Sequence, residues 1–198
     1  METKGKRAGR REAPQLDSLQ KELKRERYKR RFRRLLRSTV NALIVVAAVA
    51  ALIATLVLPV LQISGTSMDP TLKDGDIVLL VKKQRLKTGD LCAFYYSNKI
   101  LIKRVIAGPG DYLWIESDGT VFLNGEPLDE PYLTEKALGE CDVEFPYQVP
   151  ENNYFVMGDQ RKTSVDSRSS VIGCVAKDQI VGKIFCKIWP LSEFKFIG

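Results

Sequence analysis

Hydrophobic positions follow two unlike patterns along the chain. Val40 to Leu61 is a run of 22 residues without a charge, its apolar character broken only by Asn41, Thr55 and Pro59. At 1.5 Å per residue a helix of that length reaches about 33 Å, enough to cross a hydrocarbon core of roughly 30 Å. A helix is favourable there because it satisfies its own backbone amides. The run is longer than the apolar stretch of a cleaved signal peptide, and its 37-residue preamble is too long for one. It predicts an uncleaved signal anchor over residues 39–61; a buried helix of a soluble protein is the competing reading. Beyond residue 62 the apolar runs become short and are separated by Gly, Asp, Asn and Pro. Ile77–Val81, Leu91–Tyr96, Ile100–Ile106, Tyr112–Glu116, Val121–Leu123, Tyr154–Met157, Val171–Val175 and Ile180–Trp189 read as strands, with Asp118-Gly119 and Asn124-Gly125 as tight turns. The expectation is a mainly β fold, an antiparallel barrel-like domain over 62–198, with residues of about 112–150 as a smaller β-ribbon lobe.

Charge adds a direction. The 198 residues carry a net charge of +7, unevenly placed: residues 1–37 hold 15 Lys/Arg against 5 Asp/Glu, and the rest 16 against 19. A basic tail of residues 1–38 ahead of an apolar helix predicts a cytoplasmic N-terminus and an extracytoplasmic domain. The basic run Lys21–Arg37 has few aromatic residues in it and abuts the apolar stretch, so anionic lipid is the expected partner and nucleic acid is not. Leu16, Leu19 and Leu23 form a short helical stripe, and residues 1–20 are expected to be mobile.

The chain has no histidine. That excludes a Ser-His-Asp triad, a Cys-His pair and any His-ligated metal. A serine nucleophile then needs another base, and a lysine serves if burial lowers its pKa enough to leave a neutral amine. One lysine lies in such a setting. In Ile100-Leu101-Ile102-Lys103-Arg104-Val105-Ile106, period-2 alternation puts Lys103 on a face with Leu101 and Val105. An edge-strand gatekeeper is the alternative for that lysine. Ser67 follows the apolar run in Ser64-Gly65-Thr66-Ser67-Met68-Asp69-Pro70-Thr71, where glycine permits a tight turn. A polar loop, Gly158-Asp159-Gln160-Arg161 through Ser164-Val165-Asp166-Ser167-Arg168, holds groups able to orient an amine. Cys92, Cys141, Cys174 and Cys186 allow three pairings or free thiols, and Cys174 opposite Cys186 is one of the arrangements left open.

Taken in order, these segments resemble the type I signal peptidases of Gram-positive type. The resemblance rests on the anchor before the serine, Ser67-Met68-Asp69-Pro70-Thr71, Gly75-Asp76-Ile77-Val78, Lys103-Arg104-Val105 with Pro109-Gly110-Asp111, Gly158-Asp159 through Asp166-Ser167-Arg168, and Ile188-Trp189-Pro190-Leu191. It implies a Ser67 nucleophile and a Lys103 general base, with Ser164 hydrogen-bonded to the Lys103 amine. Asp166 and Arg168 would pair behind them, Asp159 and Arg104 would act as supports, and Met68 and Pro70 would contact substrate. The Ser67 N–H would contribute to the oxyanion hole, with Thr66, Ser64, another backbone amide or water as its further donor. Two positions depart from the family pattern. Gln160 stands where Asn is usual, and Gly65 where some members carry a serine whose hydroxyl completes the oxyanion hole. The resemblance further implies a single-pass, monomeric plasma-membrane serine endopeptidase without cofactor or metal. Its partners would be the signal peptides of exported pre-proteins, cut after small residues. Exposed apolar residues near Ile63, Trp189, Phe194 and Phe196 are expected to meet lipid. A soluble self-cleaving repressor-type protease, a tethered binding module and an inactive homologue are the rival readings.

Overall fold

The structure is a computed structural model; it describes residues 16–57, 59–82 and 85–197. Most of the stretch expected to be mobile, residues 1–15, lies outside them. The chain divides into two compact units, residues 1–54 and 55–198. The first carries one helix, α1, Leu16–Val57. At 42 residues it is about 63 Å long, so the basic run and the apolar run form one continuous rod. Every described side chain from Gln20 to Leu52 is exposed, which is not how a core helix of a soluble protein sits. The apolar part fits a transmembrane segment. The expected C-terminal bound is corrected: the helix ends at Val57, two residues ahead of Pro59, and Val60 and Leu61 are already strand. A proline disfavours helical backbone in the residue before it, and a continuous apolar run hides the change from helix to strand.

The second unit is built from twelve strands: β1 Val60–Gln62, β2 Ile77–Val81, β3 Leu91–Tyr96, β4 Lys99–Ala107, β5 Tyr112–Ile115, β6 Val121–Leu123, β7 Glu126–Pro127, β8 Tyr147–Gln148, β9 Asn153–Met157, β10 Val175–Ala176, β11 Ile180–Trp189 and β12 Lys195–Phe196. Eight form an antiparallel sheet in the order β1-β2-β11-β3-β4-β9-β10, with β12 beside the end of β11. β5 to β8 form a separate four-stranded sheet in the order β7-β6-β5-β8. The barrel-like expectation is corrected. β1 and β10 end the large sheet and are not paired to each other, so it stays open. Short outer strands, three residues in β1 and two in β10, offer too few ladder bonds to close it. Val171–Val175 is also corrected: only Val175 and Ala176 pair, against Tyr154 and Asn153, while residues 170–172 form a turn.

Alternating burial explains the register. In β2 it is Val78 and Leu80 that lie inside, packed with Met68, Leu72, Leu91 and Ile184. β4 is paired with β3 along its length and with β9 from Arg104 onward, and Lys103 to Ala107 are buried. Lys103 thus stands just before the stretch that β9 covers, but it is buried, which a solvent-facing gatekeeper is not. All four cysteines are free. Cys174 lies against the Tyr147 hydroxyl at 3.4 Å, whereas Cys186 stands between Leu79 and Phe196, so these two do not face each other.

Candidate active site

Ser67 sits in a turn directly after β1, and the chain enters it through Gly65 at φ +93°, a left-handed conformation that favours glycine. The Gly65 N–H is held by the Asp74 carboxylate at 2.7 Å. Met68 and Leu72 anchor the turn in the core, with the Leu72 N–H bonded to the Met68 carbonyl at 2.9 Å. Ser67 therefore stands half-buried on a fixed support.

Three segments meet beside it. The Lys103 amine donates to Ser164 Oγ at 2.9 Å. The Ser67 carbonyl oxygen accepts from the Gln160 N–H at 3.1 Å. Gly158 lies between these contacts: a Cβ there would come within 2.6 Å of the Ser67 carbonyl oxygen and closer still to Ser164 Oγ. The glycine is required by this close approach. Ser67 and Lys103 also line one cleft of about 130 Å³, together with Leu61–Gly65, Met68 and Ile100–Ile102. The link to Gln160 runs through its backbone, so the change from Asn leaves it in place.

Five cations are buried among the described residues: Lys103, Arg104, Arg161, Arg168 and Lys187. Four of them touch a carboxylate. Arg104 forks onto Asp159 at 2.8 and 2.6 Å, Arg168 onto Asp166 at 2.8 Å through two nitrogens, Arg161 pairs with Glu130, and Lys187 meets Asp76 at 3.1 Å and Glu193 at 2.6 Å. Lys103, only 4% exposed, is the exception; its partner is a hydroxyl. Burial, with a smaller push from the Arg168 charge, lowers its pKa below that of an ordinary lysine; Asp166 and Asp159 oppose this without reversing it. A buried ammonium without a counterion is costly, so burial shifts this amine toward the neutral form relative to an exposed lysine.

The remaining groups hold this arrangement. Asp166 accepts the Gly158 N–H at 2.9 Å in addition to the Arg168 fork. Its own burial favours the neutral acid, but the Arg168 bonds and charge, the Gly158 N–H and the Ser164 hydroxyl prevail and hold it below the usual carboxylate range. Arg104 crosses to the serine turn: its Nη2 donates to Thr71 Oγ1 at 3.3 Å, and Thr71 Oγ1 donates to Asp159 at 2.5 Å. The structure thus brings Ser67, Lys103 and Ser164 together, with Asp166 and Arg168 behind them and Arg104 and Asp159 beside them. Met68 is 2% exposed and belongs to the core as well as to the cleft wall. Pro70 does not line that cleft; it lines a larger cavity with Thr71, Arg104 and Tyr132. Thr66 is exposed and lines neither. Sequence reasoning gave no role to Thr71, Glu130, Tyr132 or Arg161, although Thr71 lies in the Ser67–Thr71 segment and Arg161 in the polar loop.

The family described as "Signal peptidase, peptidase S26" matches residues 36–189. The chain belongs to this family. Membership makes it a peptidase, a hydrolase of the protein-processing kind. Among its relatives, Signal peptidase IB of Staphylococcus aureus (strain MRSA252) is 39% identical over 154 residues, covering 68% of this chain and 79% of that protein. Signal peptidase I of Bacillus licheniformis is 37% identical over 146 residues, covering 67% of this chain and 77% of that protein. A crystal structure of a signal peptidase I from Enterococcus faecalis V583 aligns with 50% of this chain and 96% of that one, at 28% identity and a TM-score of 0.41.

Proposed function

We propose that this peptidase is a membrane-bound serine endopeptidase that removes signal peptides from exported pre-proteins, with Ser67 as nucleophile and Lys103 as general base. The observation that carries this reading is Lys103 itself: the one buried cation without a carboxylate partner among the described residues, on the wall of the cleft that also holds Ser67. A neutral amine there takes the Ser67 proton as the hydroxyl attacks the scissile carbonyl. The resulting ammonium passes the proton to the leaving amine, and the same lysine then activates the water that hydrolyses the acyl-enzyme. The Ser67 N–H, which no acceptor among the described residues takes up, supports a role for it in holding the oxyanion. The Gly65 N–H is spoken for by Asp74; of the candidate side-chain donors, Ser64 lines the cleft beside Ser67 and Thr66 does not.

Two strand edges support an extended substrate. β1 pairs only with β2, and β9 meets β4 only from Arg104 onward, so Lys99 to Lys103 have no strand on that side. A pre-protein segment laid between these edges gains ladder hydrogen bonds by β-augmentation. Sequence resemblance supplies the preference for small residues before the cut. We place the N-terminus in the cytoplasm, the domain of residues 62–198 outside the plasma membrane, and the α1 apolar stretch across it, on the charge asymmetry about that stretch. Trp189, Leu191, Phe194 and Phe196 are exposed and suit contact with lipid, whereas Ile63 is buried and is withdrawn from that role. The reading needs no metal or cofactor.

The test is a purified full-length chain in detergent or vesicles with a pre-protein whose signal ends in Ala-x-Ala. Wild type is expected to release the mature protein, and Ser67→Ala and Lys103→Ala are each expected to abolish release while keeping the fold. Cleavage at wild-type rate by either variant overturns the assignment.

A further inference from the structure

A segment outside the large sheet holds the loop that carries Ser164. Residues 128–146 connect β7 to β8 of the four-stranded sheet and make three separate contacts with the site's charged side chains. Glu130 pairs with Arg161 through both guanidinium nitrogens, and neither side chain is exposed at all. The Tyr132 ring lies 3.7 Å from the Arg104 guanidinium carbon, and its hydroxyl donates to Glu130 at 2.8 Å. The Ala137 and Leu138 carbonyls accept from Arg168, Leu138 at 2.5 Å. Arg161 in turn donates its Nε to the Gly158 carbonyl at 3.1 Å. Gly158 is the residue packed against both Ser67 and Ser164.

We propose that Glu130 and Tyr132 are positioning residues for the peptidase reaction, acting through Arg161 and Arg104 to keep Gly158 and Ser164 closed over the Lys103 amine. The inference rests on Lys103 being the base. Glu130 alone neutralises Arg161, so the Gly158 peptide is gripped from its carbonyl side by Glu130–Arg161 and from its N–H side by Asp166–Arg168. Losing the first grip leaves a buried guanidinium uncompensated, and water or a backbone shift must meet it. The shift opens the Lys103 pocket, whose depressed pKa comes first from burial. The groups facing Lys103 are Asp166, Asp159 and Arg168 from the loop, Ser67 from the turn and Cys92 opposite on β3; Lys183, across β3 on β11, is already paired with Asp90. None of these is removed by changing Glu130 or Tyr132; the charge lost in Glu130→Gln would by itself lower the amine's pKa, and Tyr132→Phe changes no charge, so an upward movement of the titration reports hydration of the pocket.

The experiment is the pH profile of kcat/KM for Glu130→Gln and Tyr132→Phe, with melting curves for each. In Glu130→Gln the rising acid limb is expected to move up by about one pH unit, which lowers kcat/KM at neutral pH about tenfold. On the alkaline plateau the rate is expected to return to within about twofold of wild type, with KM little changed because the cleft edges are untouched. Tyr132→Phe removes only the hydroxyl donated to Glu130 and is expected to move the limb less, in the same direction. A merely structural role lowers the melting temperature and the amount of active enzyme without moving the limb. If Glu130→Gln does not fold, Tyr132→Phe decides. An acid limb that stays at its wild-type position in the variants that fold overturns the proposal. The Ser67 and Lys103 assignments then stand or fall separately, on Ser67→Ala and Lys103→Ala.

Discussion

Gly158→Ala adds one methyl group where the structure has no room for it. The Gly158 backbone is not in a left-handed conformation, so alanine is not disfavoured by its dihedral angles; the effect is steric. The new Cβ would lie 2.6 Å from the Ser67 carbonyl oxygen, against a comfortable separation of about 3.5 Å, so something must retreat by roughly 1 Å. The Ser67 oxygen is tied to the Gln160 N–H, and Ser164 is tied by its N–H to the Gln160 carbonyl and by its own carbonyl to Arg168. Neither can swing aside alone. The displacement therefore reaches the 2.9 Å contact between Lys103 and Ser164 Oγ and stretches it beyond hydrogen-bond range. Misplacement of that size costs kcat on the order of 100-fold, and overpacking costs about 1–3 kcal/mol of stability. The assay is cleavage of a detergent-held pre-protein at saturating substrate, with a melting curve alongside. Gly173→Ala is the control: Gly173 has φ +62° and open space around it, so alanine there strains the backbone without touching the site. It is expected to lose stability and keep kcat. A Gly158→Ala enzyme with kcat within about threefold of wild type refutes the packing argument.

Two further predictions concern charge. Because burial depresses the Lys103 pKa, the folded state disfavours the ammonium. Below its folded pKa the amine therefore weakens the fold, a penalty relieved as pH rises through that pKa toward the ordinary lysine value. The rate is expected to rise up to the folded pKa and to level off above it. Lys103→Met is expected to be inactive yet to melt higher than wild type at neutral pH, and Lys103→Arg to be inactive because guanidinium stays charged; a Lys103→Met protein that melts lower at neutral pH contradicts the depressed pKa. Asp166 has the opposite sign. Its carboxyl is held below the usual range, so it stabilises the fold above its unfolded pKa and loses that contribution as pH falls through the folded one. Asp166→Asn leaves Arg168 buried without a counterion and is expected to cost about 3–5 kcal/mol by urea unfolding. A loss below about 1 kcal/mol, the size of an exposed pair, contradicts the burial argument.

Strand positions were legible because each is a short local pattern. Ile77–Val81, Leu91–Tyr96 and Val121–Leu123 begin and end where alternation and turn residues place them. Closure was not legible, because it depends on whether β1 and β10 reach each other, and no local pattern encodes that. Val60 and Leu61 were misread for a related reason: apolar residues next to an apolar helix carry no period of their own, and their strand identity comes from pairing with Leu79 and Val78. β7, β8 and β12 are two-residue strands made by their neighbours, too short for any pattern.

The site divides along the same line. Residue types at known spacing singled out Ser67 and Lys103 as candidates and pointed to the acid–arginine pair at Asp166 and Arg168, the last because two residues apart is a local relation. Glu130 and Arg161 are 31 positions apart, and Thr71 and Asp159 are 88 apart. A glutamate between Asp129 and Pro131 looks like any solvated loop acid, yet it is buried with a guanidinium. What the sequence least discloses is the contrast between the partners of Lys103 and those of the other buried cations. Alternation marks it as facing inward, but a lysine facing inward is inert as a base if a carboxylate meets it, since the pair fixes the ammonium. Lys187 is that case: also little exposed, met by Asp76 and Glu193, and its pKa is raised, since those bonds overcome the desolvation that alone would lower it. Lys103 lies deeper and keeps different company. The nearby carboxylates, Asp159 and Asp166, are each already committed to an arginine. Those arginine pairs therefore do more than brace the loop: by occupying the acids, they leave the amine a hydroxyl for a partner, and burial then outweighs the carboxylates' pull on its proton.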